Sequence, residues 1–398
     1  LPGEKAEIKI VKTSKNFAYG RLMKIIEKSL DRVEPMCSLK RCGGCQLMHL
    51  DYNAQLKFKK QRVADSLERI GKLHHIKVND TIGMKNPYRY RNKAQFPVGT
   101  SDGSVVIGFY APRSHAVIDT SSCMIQNEMS DKVMNAVKEW AQSYKISVYD
   151  ETTNEGLLRH VMVRKAFRTG DVMAVIVTNG NDIPYKDELI EILQKNIPGL
   201  KSVIQNINCE ATNVVLGTEN RTLYGDDSIV DYIGDLKFRI SPLSFFQVNP
   251  VQTEVLYHKA LEYANLSGSE TVIDAYCGAG TISLFLAQKA KKVYGVEVVK
   301  PAVCDARFNA SLNGIENVEF IAGKSEDVIP MLYRDGIKAD VMVVDPPRKG
   351  CDMELLKAIT VMKPDRIVYV SCDPGTLARD LKYLHENGFD IIEVQPVD

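Results

Sequence analysis

At 398 residues, with 44% hydrophobic and 25% charged content, the chain has the make-up of ordinary globular protein and the length of two or three cores. No apolar run approaches a bilayer span and no signal peptide opens the chain, which argues against a helical membrane protein or a secreted one and leads us to expect the cytoplasm. The net charge of +1 arises because Lys+Arg 51 nearly cancel Asp+Glu 50, so binding a polyanion requires the positive charge to gather on one face. Leu1 is not an initiator methionine, and the chain is expected to begin inside a longer protein.

Residues 5–33 read as short strands: Glu7 to Ile10 alternate, and Ala18-Tyr19-Gly20-Arg21-Leu22 follows Asn16-Phe17. They are too few to bury a core, so a barrel fragment or an added edge is expected. The cysteine-bearing segment from Glu34 to Gln46 comes next. The nine cysteines are an odd set, and three of them crowd between Cys37 and Cys45, which favours metal-binding or catalytic thiols over a disulfide framework. Cys37-x4-Cys42-x2-Cys45 with the distant Cys123 supplies four soft ligands, suited to an iron–sulfur cluster or to tetrahedral zinc. Cys209, Cys277, Cys304 and Cys351 read as structural.

Residues 52–72 look helical, with Leu56, Val63, Leu67 and Ile70 on one apolar face and Gly71 as the stop. From 76 to 238 strand-like runs dominate, among them 105–110, 161–164 and 172–177. Two stretches mix cations with aromatics: Lys57-Phe58-Lys59-Lys60-Gln61-Arg62, and Tyr88-Arg89-Tyr90-Arg91-Asn92-Lys93, whose alternation puts its arginines on one face of a strand. Cations meet phosphates and aromatics stack on unpaired bases, so both are candidate RNA contacts, which Arg159, Arg164, Lys165 and Arg168 extend.

Beyond 250 the pattern turns regular. Helical segments alternate with apolar strands at 271–275, 292–296, 318–321, 341–344 and 366–370, the mark of a doubly wound parallel sheet. The first strand runs into Tyr276-Cys277-Gly278-Ala279-Gly280 and a helix. Ligands of open α/β sheets bind beyond such strand ends, where glycines admit the ligand and a helix amino terminus favours an electron-rich group. Glu297 ends the next strand, 17 residues after Gly280, placed to hold ribose hydroxyls. Ser283 stands where a dinucleotide site needs its third glycine, so the turn looks like that of a methyltransferase.

Two further strand-end loops carry chemistry. Asp345-Pro346-Pro347-Arg348 is a rigid extended turn. Amino-group methyltransferases of nucleic acids carry an aromatic in the fourth position, and Arg348 speaks against that activity. In Ser371-Cys372-Asp373-Pro374 a thiol leaves the fifth strand just before a helix, where a thiolate is favoured. Uracil C5 is too weak a nucleophile to accept a methyl group directly; thiolate addition at C6 makes it enolate-like.

These motifs, with Thr376-Leu377-Ala378-Arg379-Asp380 and Phe245-Phe246-Gln247-Val248-Asn249, resemble the RNA uracil-C5 methyltransferase family over essentially the whole chain. The resemblance implies a Rossmann-like, doubly wound class I S-adenosylmethionine methyltransferase domain over 239–398, with Cys372 as nucleophile and Gln247, Tyr276, Glu297 and Asp345 contacting the cofactor. It implies a mixed α+β central RNA-binding domain over 34–238 carrying the cysteine cluster, with helix 52–72 a candidate to pack on the catalytic domain. A partial TRAM-like, OB-type barrel is implied for 1–33. Among the family's branches, the ribosomal one points to a [4Fe–4S] cluster on Cys37, Cys42, Cys45 and Cys123, zinc being the alternative, although that branch usually has one more residue between its first two cysteines. The implied substrate is a single-stranded loop of 23S ribosomal RNA, since a base must leave its stack to reach Cys372. Transfer RNA is the rival substrate, an iron–sulfur RNA-binding module without methyl transfer the rival function, and a monomer the expected state. The family's C5-proton base, a Glu, falls just past Asp398, so a longer chain is expected at that end too.

Overall fold

The computed structural model describes residues 1–39 and 41–398. Strands β1 (Lys5–Thr13) and β2 (Ala18–Glu27) form an antiparallel ribbon exposed on both faces. The expected barrel fragment is therefore a bare hairpin among the described residues, because two strands cannot close on themselves or bury a face. After the irregular cysteine segment, helix α1 (Tyr52–Ser66) starts at Asp51, whose carboxylate accepts the amides of Asn53 and Ala54, and it ends in a π-helical turn over Leu67–Gly71. A two-residue strand β3 (Lys77–Val78) follows.

The central sheet has seven strands in the order β10-β9-β8-β7-β4-β5-β6. They are β4 (Lys93–Ser101), β5 (Ser104–Tyr110), β6 (Val117–Asp119), β7 (Leu158–Lys165), β8 (Val172–Thr178), β9 (Leu200–Ile207) and β10 (Glu219–Gly225). All neighbours are antiparallel except β8 and β9, which are joined by the crossover helix α3 (Lys186–Asn196), and α2 (Glu128–Ser143) lies on the same face. Strand β8 reads Val-Met-Ala-Val-Ile-Val without a polar break because both of its faces are covered. Val172, Ala174 and Ile176 pack with Trp140, Met134 and Leu189. Met173 and Val175 point the other way, into a core shared with the hairpin of β11 (Ile229–Ile233) and β12 (Leu236–Ile240) and with the carboxyl-terminal sheet.

That last sheet is fully parallel. Its strands, β13 (Thr271–Ala275), β14 (Lys292–Glu297), β15 (Val318–Ala322), β16 (Val341–Val344) and β17 (Arg366–Tyr369), lie in the order β15-β14-β13-β16-β17. Val272, Val341 and Val343 pack toward α4 (Pro250–Ala264), α5 (Thr281–Ala287) and α6 (Lys300–Leu312). Ile273, Met342 and Val344 pack toward α7 (Ser325–Arg334), α8 (Met353–Met362) and α9 (Pro374–Glu386). Alternate residues of each strand thus serve opposite helix layers, and the five strands fall where the apolar runs predict them. A short strand β18 (Glu393–Val394) pairs with β3. Helix α1 leans on α9: a Cβ at Gly71 would lie 2.9 Å from the Ala378 carbonyl, so that position accepts little beyond glycine. Among the described residues no helix is long and apolar enough to cross a membrane.

Candidate active site

The carboxyl ends of β13, β14, β16 and β17 open on one edge, where the strand order turns back on itself and a ligand crevice is expected. The turn after β13 needs left-handed backbone at Tyr276, Gly278 and Gly280, with φ of 70°, 55° and 80°. At Gly280 a Cβ would also fall 2.8 Å from the Phe320 ring and 3.0 Å from Ala306, so no side chain fits there. Two of the turn's amides are taken: Gly278 N donates to Glu297 Oε2 at 3.1 Å, and Gly280 N donates to the Cys277 carbonyl at 2.9 Å. The following helix, α5, is short. Beside this helix start the crevice is dominated by acids.

Three carboxylates gather here. Asp274, near the end of β13, is fully buried, takes the Ser283 hydroxyl at 2.5 Å, and leaves its Oδ1 without a partner. Burial, then the charges of Asp345 and Glu297, push its pKa up to about 7. Asp345, just past β16, is pushed up to about 6 by burial. Glu297, at the end of β14, accepts from the Gly278 and Val299 amides. Tyr276, held by its amide to the Val296 carbonyl, turns its hydroxyl toward the amide of Asp352.

Cys372 is exposed in the loop between β17 and α9. Asp373 caps that helix by accepting the Gly375 and Thr376 amides at 2.8 and 3.0 Å, so the first turn holds no spare amide for a thiolate. The Asp345–Gly350 loop is tied to α9 in turn. The Thr376 hydroxyl donates to the Arg348 carbonyl, and Arg379 Nη2 to that of Lys349. Asp380, fully buried, accepts the Cys351 amide at 2.8 Å, the Tyr369 hydroxyl at 2.7 Å and Arg379 Nε at 2.7 Å. The sequence offered these three side chains only as part of a motif; in the fold they lock the Asp345 loop and the Cys372 loop together.

Gln247 lies on the loop before α4. Its carbonyl accepts Asn92 Nδ2 at 2.8 Å, while Arg164 donates to the carbonyls of Pro242 and Ser244 earlier in the loop. Phe246 is buried, whereas Phe245 stands 73% exposed. The Tyr257 hydroxyl bonds Thr281 at 2.8 Å; burial raises its pKa, Asp345 and Asp274 raise it further, and Gln247 opposes them, so Tyr257 joins Gln247 to the acidic crevice. A cavity of about 1330 Å³ is lined by Gln247, Asn249 and Cys372 and, from α1, by Lys59 and Arg62. Tyr276, Glu297 and Asp345 do not line it, and they lie at the ends of the more central strands.

Cys37, Cys42, Cys45 and Cys123 are all half-buried. Burial and then the charges of Cys123, Cys42 and Cys37 push the Cys45 thiol up to about 11, so the four sulfurs sense one another. Among the described residues, no group of three or more His, Cys, Asp or Glu side chains stands at metal-binding spacing. Cys277 and Cys351 are buried as structural residues are, while Cys209 and Cys304 are exposed and serve no core.

The second cation–aromatic stretch is not a strand face. Arg89 sits at φ 56° and its guanidinium is spent on Asp131, Ser122 and the carbonyls of Cys123 and Gln126. Arg159 is buried against the carbonyls of Asn208 and Glu210. Both arginines brace loops, whereas Lys57, Phe58 and Arg62 on α1 stay exposed.

The profile of the tRNA (uracil-5-)-methyltransferase family matches residues 51–392. An uncharacterised RNA methyltransferase of Clostridium tetani is 57% identical over 397 residues, spanning 100% of this chain and 86% of that protein. One from Halalkalibacterium halodurans is 56% identical over 399 residues, covering 100% and 87%. The crystal structure of the Pyrococcus abyssi tRNA (uracil-54, C5)-methyltransferase in complex with S-adenosyl-L-homocysteine superposes with a TM-score of 0.80 at 27% identity, over 100% of this chain and 90% of that one.

Proposed function

The chain belongs to the tRNA (uracil-5-)-methyltransferase family, and from that premise we propose that it methylates uracil C5 in RNA through a covalent bond from Cys372 to C6. The observation that carries the site assignment is the gathering of Asp274, Glu297 and Asp345 at neighbouring strand ends, locked to the Cys372 loop through Asp380. Clustered carboxylates raise one another's pKa and suit a cation, and S-adenosylmethionine carries positive charge on both its sulfonium and its amino group. On this reading Glu297 takes the ribose hydroxyls, and Asp345, Tyr276 and Gln247 contact the remainder of the cofactor. When bound, the cofactor supplies an electrophilic methyl group.

The Cys372 thiolate adds to C6, forming the S–C6 bond and shifting the C5–C6 electron pair toward C5 and the O4 oxygen. C5 takes the methyl group as the sulfonium–methyl bond breaks. A base then removes the C5 proton, and that electron pair restores the C5–C6 double bond as Cys372 leaves. Phe245 offers an exposed ring on which an unpaired base can stack.

The substrate on this reading is a single-stranded loop of 23S ribosomal RNA, and the four neighbouring thiols are proposed to hold a [4Fe–4S] cluster. Their all-sulfur donor set, three from the Cys37–Cys45 segment and one at Cys123, supports a soft ion. A transfer RNA loop is the second reading, favoured by the substrate named for the Pyrococcus abyssi protein.

RNA containing 5-fluorouridine tests the mechanism, since C5 then carries no removable proton and the adduct persists. A denaturation-resistant complex that requires S-adenosylmethionine and is lost in Cys372→Ala is expected. Absence of the adduct in parent protein with cofactor bound refutes the mechanism.

A further inference from the structure

Away from the strand-end loops, the register of the central sheet sets two cations against each other. Lys93 of β4 stands directly across from Arg164 of β7, so both side chains leave the same face. Like charges opposed in neighbouring strands are destabilising, and burial raises that cost. Arg164 is 3% exposed, its Nε has no partner, and its Nη2 meets only the carbonyls of Pro242 and Ser244 among the described residues. The Lys93 ammonium is half-buried and forms no hydrogen bond or ion pair among the described residues. Burial, then Arg164 and Arg91, push its pKa down to about 8, and no acid offsets them.

The pair adjoins the candidate site. Asn92, the residue before Lys93, donates its amide to the Val248 carbonyl at 2.9 Å and its side chain to that of Gln247 at 2.8 Å. Arg164 braces the preceding turn of that loop. A protein that keeps two repelling cations beside its substrate cavity gains nothing in folding from the second one. An anion arriving from outside restores the balance, and RNA carries such an anion one linkage away from every base.

We propose that Lys93, within the field of Arg91 and Arg164, binds a backbone phosphate of the RNA strand next to the methylated uridine. The inference rests on the reading of Gln247 and Cys372 as the site.

Lys93→Met and Lys93→Arg are titrated with a fluorescent oligouridylate over a salt series, and with S-adenosylhomocysteine by calorimetry. Lys93→Met is expected to weaken RNA binding on the order of tenfold at low salt and to lower the slope of log affinity against log salt by about 1. Lys93→Arg retains the slope, S-adenosylhomocysteine affinity is unchanged, and Lys93→Met melts no lower than the parent because a repelling charge has gone. Unchanged RNA affinity and slope in Lys93→Met overturn the proposal. So does a joint loss of RNA binding, S-adenosylhomocysteine binding and melting temperature, which marks Lys93 as structural support. The Cys372 adduct is read separately: a reduced salt slope without any adduct upholds the phosphate site and overturns the methylation mechanism.

Discussion

Replacing Asp274 by asparagine separates the cost of its buried charge from the rest of the fold. The folded pKa of about 7 stands against an ordinary value of 3.8, a gap of about 3 units, and each unit is worth about 1.4 kcal/mol. The native state therefore binds this proton more tightly than the unfolded chain does. The acid costs nothing below about pH 4, and the cost grows as pH climbs, reaching about 4 kcal/mol once pH passes 7. In Asp274→Asn the carboxamide oxygen still accepts from the Ser283 hydroxyl, but an amide nitrogen now stands where Oδ1 has no partner, at about 1–3 kcal/mol. Near pH 5 the two proteins should be close in stability, and at pH 8 the variant should lead by about 1–3 kcal/mol. Comparing hydrogen exchange of peptides from β13 at matched pH cancels the intrinsic rates and reads this difference in the strand concerned. A protection ratio that stays constant from pH 5 to pH 8 refutes the reasoning. A cation relieves the same repulsion, so saturating S-adenosylmethionine should narrow the gap at pH 8 more than S-adenosylhomocysteine, whose sulfur is uncharged.

Asp345 acquires its charge as pH rises through about 6, so S-adenosylmethionine should bind roughly tenfold more weakly at pH 5 than at pH 7. Calorimetry on Asp345→Asn should return a shallower profile, what remains being the titration of Asp274, and a profile like the parent's assigns the titration elsewhere. Asp380→Ala strands the Cys351 amide and the Tyr369 hydroxyl, which should cost about 2–4 kcal/mol. Turnover should fall further than S-adenosylhomocysteine affinity, because the variant frees the two loops from each other; equal losses argue against the clamp. Gly280→Ala forces a Cβ against Phe320 and Ala306 at positive φ and should abolish cofactor binding on calorimetry, whereas Gly268→Ala, also at positive φ but facing open space, should retain it.

The parallel sheet was legible because its signal is local. Val341 to Val344 and Arg366 to Tyr369 are short β-branched runs whose continuity already states that both faces are covered. The place of Glu297 at the end of β14 was legible too, since its distance from Gly280 is fixed by one strand–helix–strand unit. The arginines misled for the opposite reason. Arg89 reads as an exposed RNA contact until Asp131, 42 residues away, claims its guanidinium, and Arg164 until the turn at Pro242 closes over it. A charge's role is set by whether it keeps its water, and burial is decided by parts of the chain that no short motif contains.

The same logic explains why the sequence shows Asp274, Asp380 and Lys93 only as members of longer motifs. Asp274 and Asp380 are polar side chains in otherwise apolar surroundings, and only the assembled sheet shows one of them beside two other acids and the other holding two loops. Lys93 becomes unusual only when β4 pairs with β7 and places it across from Arg164. Local preference placed the strands, and pairing between strands then created groups whose charges are costly to keep. The acidic crevice and the cationic pair are costly in opposite senses, and a methyl-donating cation and an RNA phosphate are the ligands that would relieve each of them.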